Sequence, residues 1–554
     1  MKKIALASCW LVAQSFAATL TIEAEKARIR TVGAPTRGGW NLFSNGQVGD
    51  FVSLPASGKY RVVVRAAGSP ARGAWPVMVL LLDGQAVGKA TVARKDFADY
   101  RFSVQAEAGP HRLSVAFVND AYTGREDRNL YLDAIIVEPP AGSPSPTLAS
   151  QEEAAMEAQR REDQALAKAR EAIERHRKGE ATVVVLDPDG KPVEGASVAL
   201  EQLSHDFLFG CNIYRFDRYG DQARNKAYKR RFSELFNYAT VAFYWRWYEP
   251  ERGKPLYDYT DKVVAWCQGH GIRMKGHPLL WAHRAGIPRW AGNKQPPPEV
   301  QKKRVQEIIR RYGGKIEFWE VVNEPSHLRS LKIDEPYRWA READPNAYLI
   351  VNDYHVMADG YPPFFALLRG AIANGVPFEG IGIQAHEPRT MRFPLDQVQR
   401  ILDHYATLGK DLHITEFTPT SAGQPITGSH IVGRWDEAAQ ADYATKFYTV
   451  CFGHPAVVAI TWWDLCDDGS WLRGGGMLRA DMSPKPVYLA LRKLIHETWH
   501  TSAEGSSDAR GRFAFRGFFG RYRITAEARG KRGTAEVHLA RGRPAQFTVR
   551  LPAR

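Results

Sequence analysis

At 554 residues the chain is too long for one ordinary domain, and three or four units are expected. Its formal charge of +14 suits an acidic polymer, yet the arginines are spread along the chain. They form no basic, aromatic-interleaved stripe of the kind nucleic-acid binding needs, and five cysteines are too few for a disulfide framework.

The chain opens MKKIALASCWLVAQSFAATL: two lysines, an apolar run, then small residues at Ser15 and Ala17. That is the layout of a secretory signal over residues 1–17, and it predicts a secreted or periplasmic protein. No later stretch is apolar for the length a spanning helix needs, so no membrane span is expected. Cys211, Cys267, Cys451 and Cys466 outlast the signal. Their spacing matches no zinc pattern, and mostly buried thiols are expected, with room for one bridge.

Residues 18–139 read as short alternating strands (YRVVVRAA, WPVMVLLLDG, HRLSVAFVND, LYLDAIIVE) broken by Gly, Pro and Asn turns, the pattern of a β-sandwich. Residues 140–180 hold a PPAGSPSPT linker and an Ala/Glu/Arg-rich stretch that predicts an exposed helix, a spacer or brace. Residues 181–204 predict two strands around an Asp-Pro-Asp-Gly turn.

From residue 205 to 497 apolar runs of strand length alternate with helical stretches. FLFGCNIY, ATVAFYW, IRMKGHPLL, IEFWEVVNE, YLIVNDY, GIGIQAH, LHITEF and VVAITWW are eight candidate strands, which fits a (β/α)8 TIM barrel. Their polar residues collect at one end: His277, Asn323, Glu324, Asn352, Asp353, Gln384, His386, Glu416, Trp463 and Asp464 all fall at C-terminal strand ends. In such barrels that rim is the active-site face. A carboxylate closing a strand as apolar as Phe318–Val322 is unfavourable unless it is paired or used. Glu324 ends the fourth strand and Glu416 the seventh, so they face each other across the mouth. Two such groups are what glycoside hydrolysis requires: one protonates the leaving oxygen, and the other attacks the anomeric carbon or activates water. Their environments are expected to separate their pKa values. Asn323 is placed to contact a sugar 2-OH, and His386 to hydrogen-bond Glu416 and hold it ionised. Trp281, Trp463 and Trp471 offer apolar faces to sugar rings. A metal centre is a weaker reading, since His277, His386 and His413 lie on different strands without a helical i, i+4 pair. A serine nucleophile is weaker still, for want of a Gly-x-Ser-x-Gly elbow.

The segments KGHPLLWAH, WEVVNEP, LIVNDY, GIGIQAH, HITEF, ITWWDLCDDGSW and SPKPVYLAL occur in the order found in glycoside hydrolase family 10, and residues 205–497 resemble that family of retaining endo-β-1,4-xylanases. The resemblance implies that Glu324 is the general acid/base and Glu416 the nucleophile. It also implies that His277, Trp281, Asn323, Gln384, His386, Trp463 and Trp471 line the sugar sites, and that the partner is a polysaccharide, xylan. Two departures bear on substrate choice. Where the family carries Glu-Asn-x-x-Lys on its second strand, this chain has TVAFYWRWYEP, with Thr240, Val241 and Tyr244 near those places. The family's Gln three residues after the third-strand tryptophan is Arg284 here, which suits a uronic acid. The rival readings are the same mechanism on another β-glycan or decorated oligosaccharide, and a catalytically silent glycan-binding protein.

The N-terminal sandwich resembles calcium-dependent carbohydrate-binding modules through TIEAEKA and VAFVNDAYTGREDRNLYLDAIIVE. Glu23, Glu25 and Asp133 are then expected to hold a structural calcium, with oxygen ligands from both chain ends. Asp120, Glu126, Asp127 and Asn129 are candidates for a second ion, where a solvated acidic loop is an equal reading. No cofactor is expected for catalysis. Residues 498–554 are too short and polar to bury a core alone. With residues 181–204 they resemble one carboxypeptidase-regulatory-like, transthyretin-type β-sandwich, split around the barrel. A monomer is expected.

Overall fold

The computed structural model describes residues 18–553 apart from Arg37, Thr123, Gly124, Arg329, His430 and Val432. The expected signal at residues 1–17 lies outside the described residues. The chain forms two compact units that divide between residues 159 and 160.

The first unit is a pair of mainly antiparallel sheets. One is centred on Asp127–Glu138 and Gly58–Ser69, the other on Gly46–Leu54 and Gly109–Phe117. At every second position of Gly58–Ser69, Tyr60, Val62, Val64 and Ala66 turn inward and share a core with Val48, Val52, Leu113, Val115 and Phe117. Leu20–Glu23 pairs antiparallel with Ala134–Val137, tying the start of the unit to its last long strand.

The second unit contains eight parallel barrel strands: β1 (Leu208–Asn212), β2 (Tyr238–Ala242), β3 (Arg273–His277), β4 (Phe318–Asn323), β5 (Tyr348–Asp353), β6 (Gly380–Gln384), β7 (Asp411–Phe417) and β8 (Val457–Trp462). Neighbours pair in chain order, and β8 returns to β1 with Leu208 opposite Ala459, which closes the barrel. Every residue of β1 and β4 is buried, as expected of strands covered on both faces. The outer helices follow the same logic. Pro298–Tyr312 starts with proline, whose missing N–H costs nothing there, and buries Val305, Ile308, Ile309 and Tyr312 at helical spacing. Inside, Leu208, Tyr238, Phe318, Ile350 and Ala459 plug the floor. Two residues further along their strands the file turns polar, with Thr240, Glu320 and Asn352, so the chemistry starts just above an apolar plug.

The charged helix spans Gln151–Arg177. Its part in the second unit braces the barrel, but it is not the exposed helix its composition suggests. Leu166, Ala169 and Ile173 join the barrel's core. Glu162 is buried and takes both Arg392 (2.6 and 2.9 Å) and Lys446 (2.6 Å). A buried carboxylate is tolerable only when paired this fully, and its partners lie more than 200 residues away.

Strands before and after the barrel pair with each other. Lys178–Leu186 runs antiparallel to Arg512–Phe518 and parallel to Gln546–Arg550. Ser197–His205 lies between Ser502–Ser506 and Gly520–Ala528, whose far neighbour is Lys531–Leu539. Val183, Val185, Val198, Leu200, Tyr522, Ile524 and Val549 share one core. The four cysteines are buried free thiols. Among the described residues no helix is long and apolar enough to cross a membrane.

Candidate functional site

The rim at the C-terminal strand ends collects the polar residues. Glu324 follows β4 directly and takes a left-handed backbone, φ +53°, a conformation unfavourable for any residue with a β-carbon. Its N–H donates to the Asn352 carbonyl (3.0 Å), and its own carbonyl accepts from the Leu328 N–H (2.9 Å). The side chain is gripped on both oxygens: Trp281 Nε1 donates to Oε2 at 3.0 Å, and Gln384 Nε2 donates to Oε1 at 3.1 Å. Burial, with the Asp353 charge adding, pushes its carboxyl up to about 7. Asp353 is itself buried and well held. It accepts from the Ser326 N–H and hydroxyl and from the Tyr354 N–H, and it lies 2.6 Å from His327 Nδ1. That imidazole is sandwiched between the rings of Tyr354 (3.6 Å) and Tyr361 (4.2 Å).

Glu416, near the end of β7, is buried, and burial raises its carboxyl with Glu320 and Glu324 adding to the effect. The Glu324 charge therefore helps to hold Glu416 up, as the Asp353 charge does for Glu324. His386 Nε2 lies 3.4 Å from Glu416 Oε2. Burial, with Arg389 adding, pushes the His386 imidazole down to about 3, so it meets Glu416 as a neutral ring and supplies no positive charge. Asn323 is oriented by a relay: Thr415 Oγ1 donates to Asn352 Oδ1 (2.5 Å), and Asn352 Nδ2 donates to Asn323 Oδ1 (2.9 Å).

Beneath this pair lies a group that sequence reasoning missed. Glu320, in the middle of β4, is fully buried and bonded by both Lys275 Nζ and His277 Nδ1. Burial opposes its ionisation, but Lys275 and His277 outweigh it and hold the carboxyl at about 2. Burial keeps the His277 imidazole below its ordinary value even so. The available signal was the charge inside the apolar run WEVVN, matched by a lysine two residues before His277 on the neighbouring strand.

Aromatic rings wall the cleft. Trp463 stands edge-on to Tyr214 and His277, both at 5.5 Å. Trp471 is 45% exposed and stacks on His386 at 4.6 Å, with the Arg389 guanidinium 4.5 Å from its ring. Its loop is pinned by Asp464, which accepts from the Trp471 N–H (2.7 Å) and from Asn212 Nδ2 (3.0 Å). Tyr244 packs 5.5 Å from His277 and 5.9 Å from Trp281. Val241 is a correction: it belongs to the core between barrel and helices, because strand alternation turns it away from the lumen. Arg284 is exposed at the start of the turn Arg284–Gly286.

The N-terminal calcium expectations fare unequally. The Asp133 carboxylate is taken by Arg65 at 2.9 Å. Among the described residues no three or more His, Cys, Asp or Glu side chains converge as a cation site. Neither Glu23, Glu25 and Asp133 nor Asp120, Glu126 and Asp127 are brought together in that way, and in the first set the Arg65 guanidinium is the partner of the Asp133 carboxylate. In the second set, Glu126 accepts from the Arg72 N–H (2.8 Å) and Asp127 from Asn129 Nδ2 (2.9 Å). Asn129 Oδ1 is buried without a hydrogen-bond partner, and an oxygen of this kind beside a carboxylate suits calcium. Asp120 belongs to the loop that precedes these residues.

Residues 200–494 match the model of glycosyl hydrolase family 10. Residues 61–150 match that of a Ca-dependent, xylan-binding carbohydrate-binding module. The chain is 30% identical over 398 residues to anti-sigma-I factor RsgI6 of Acetivibrio thermocellus, covering 69% of this chain and 50% of that protein. To endo-1,4-beta-xylanase 1 of Arabidopsis thaliana it is 27% identical over 358 residues, 61% of this chain and 35% of the relative. To endo-1,4-beta-xylanase B of Thermotoga neapolitana it is 29% identical over 291 residues, 47% and 81% respectively. The chain thus spans half or less of the length of the first two of these relatives. Among solved structures, native xylanase 10B from Thermotoga maritima superposes with a TM-score of 0.45 at 25% identity, over 53% of this chain and 96% of that one.

Proposed function

The chain belongs to glycosyl hydrolase family 10, and from that premise we propose that it is an exported, retaining endo-β-1,4-xylanase. The observation that carries the proposal is the state of Glu324: a carboxyl raised to about 7, gripped on both oxygens, on the same rim as a second buried carboxyl, Glu416. The reactive form is the one in which Glu324 keeps the proton and Glu416, raised by burial, is ionised; in the first step that carboxylate attacks the anomeric carbon while Glu324 gives its proton to the departing glycosidic oxygen. The product is a glycosyl ester on Glu416. Having given up its proton, Glu324 is left as the carboxylate, and it takes a proton from the water that attacks the anomeric carbon and displaces Glu416. Asn323, fixed by the Asn352 relay, is placed for the sugar's 2-OH, and Trp281, Trp463 and Trp471 present ring faces to the pyranoses.

The family description of residues 61–150 supports xylan binding by the N-terminal module, with calcium held around Asp127 and Asn129. When bound, the ion would supply a hard, oxygen-seeking centre and order the loop. The strand pairing on either side of the barrel supports reading residues 178–205 and 502–550 as one sandwich carrying the barrel as an insertion. The N-terminal charge and apolar pattern supports export.

The test is release of reducing sugar from a panel of β-glycans by the full chain and its Glu416→Ala variant. Xylan should be cleaved, the variant should be inactive, and azide should restore turnover with the opposite anomeric configuration. Cleavage of a different glycan alone would overturn the substrate. Glycan binding without turnover of any would overturn the enzymatic reading.

A further inference from the structure

A second concavity opens beside the cleft, between the loops that follow β1 and β2. It is lined chiefly by Tyr214, Arg218, Tyr244, Trp247, Leu256 and Tyr259. Tyr214 and Tyr244 form its common wall with the cleft: their rings meet edge to face at 5.7 Å, and each also packs against cleft residues, Tyr214 on Trp463 and Tyr244 on His277 and Trp281. Glu416 acts electrostatically on both phenols, and Glu324 on Tyr244. The pocket therefore adjoins the cleft through these two rings.

Its chemistry is unlike that of a sugar site. A pyranose or furanose carries a hydroxyl on nearly every carbon, and a site for it needs polar groups placed to meet them. Here the Tyr259 hydroxyl is already spent on the Phe216 carbonyl at 2.9 Å. The Arg218 guanidinium lies over the Tyr259 ring, 4.2 Å from its centroid, and extends the aromatic wall. Opposite chemistry to sugar recognition continues at the mouth, where Trp247 and Leu256 stay 52% and 48% exposed. Large apolar side chains left in water at the edge of an aromatic concavity mark a binding surface.

We propose that this pocket is a subsite for a planar aromatic acyl group, such as a hydroxycinnamoyl ester, borne on a side branch of the glycan whose main chain lies in the cleft. The proposal rests on reading the barrel as a β-glycan hydrolase. The flat ring stacks on the aromatic walls and on the Arg218 guanidinium, interactions that need no hydroxyl partners. The same replacement explains why a stretch expected to hydrogen-bond sugar is instead TVAFYWRWYEP.

The experiment compares kcat/KM on two xylo-oligosaccharides that differ only by one hydroxycinnamoyl-arabinosyl branch, and measures binding of methyl 4-hydroxycinnamate to the full chain by saturation-transfer NMR. The acylated substrate should be preferred by roughly 10-fold, the effect of one well-formed ring contact. Trp247→Ala and, independently, Leu256→Asp should bring the ratio close to unity and abolish the NMR signal. Both side chains are half exposed, so neither change threatens the fold. Equal kcat/KM for the two substrates, or a preference untouched by both variants, would overturn the proposal. If the chain cleaves neither oligosaccharide, the xylanase reading fails, and the NMR arm still decides the pocket: a wild-type signal lost in the variants supports it, and no wild-type signal overturns it.

Discussion

The indole N–H of Trp281 reaches Glu324 Oε2 at 3.0 Å, so a residue that walls the cleft also fixes the carboxyl facing it. Loss of the indole would disturb sugar contact and proton transfer together, and a lowered kcat alongside a raised KM would be the mark of that double role.

The raised Glu324 carboxyl sets the alkaline limit. With its pKa at about 7 and the protonated form needed for departure of the leaving group, kcat/KM should fall as pH rises through that value. Asp353→Asn removes a charge that raises Glu324, so the alkaline limb should move to lower pH. Glu324→Gln should cost about 10²–10⁴-fold, the usual worth of a positioned acid. The stability sign is the reverse of the usual carboxylate case. The folded pKa lies above the unfolded one, so ionisation penalises the fold increasingly from 4.5 to about 7. Glu324→Gln should therefore raise Tm above that window and leave it nearly unchanged below it, as a pH series of melting curves would show.

Glu320 behaves oppositely. Its folded pKa of about 2 lies below the unfolded 4.5, so its pairing stabilises the fold above that upper value and is lost as pH falls through the folded one. Glu320→Gln at neutral pH leaves the Lys275 ammonium buried without its counter-charge, and should cost about 3–5 kcal/mol in denaturant unfolding. The deficit should shrink as the pH approaches the folded pKa. A deficit independent of pH would mean that packing, and not charge, is what was lost.

The difference between these glutamates shows what the sequence could reveal. Glu324 and Glu416 were legible because each ends an apolar strand, where a charge is conspicuous and the barrel's polarity says which end carries chemistry. Glu320 was not, because its meaning depends on Lys275 and His277 on the adjacent strand, 45 and 43 residues away in sequence. Glu162 was likewise hidden, since Arg392, 230 residues on, and Lys446 make its burial tolerable. Asp133 misled for the same reason: Arg65, across the sheet, claims the carboxylate that looked like a ligand. Periodicity reports which face a residue takes; the partner waiting there is a tertiary fact.

That distinction separates the two calcium expectations. Chelation should lower the melting transition of the first unit in the full chain, and at calcium near 100 times Kd the linked stabilisation is about 2.7 kcal/mol. Asp127→Ala should abolish the calcium response. Asp133→Ala should weaken the Arg65 pair and leave the response intact. A transition unmoved by chelator in the unmodified chain would leave the 120–129 segment as a solvated acidic loop.

The C-terminal strands should prove indispensable to the solubility of the segment that precedes the barrel. Lys178–Leu186 has Arg512–Phe518 on one edge and Gln546–Arg550 on the other, and Val183, Val185 and Val198 are completely buried by this arrangement. Deleting residues 504–554 strips both edges from that strand and opens the shared core at once. An unpaired apolar strand with two free edges is a template for association. The truncated chain should aggregate on light scattering, while Arg510→Ala, an exposed change in the turn before Arg512–Phe518, should remain dispersed. If the barrel's core carries enough stability to fold without the sandwich, the aggregates should still bind glycan in the cleft, because every residue of the Glu324–Glu416 site lies between Leu208 and Lys493. A truncated chain that stays monomeric would mean that residues 178–205 find another cover, and the two segments would then be separate structures rather than halves of one.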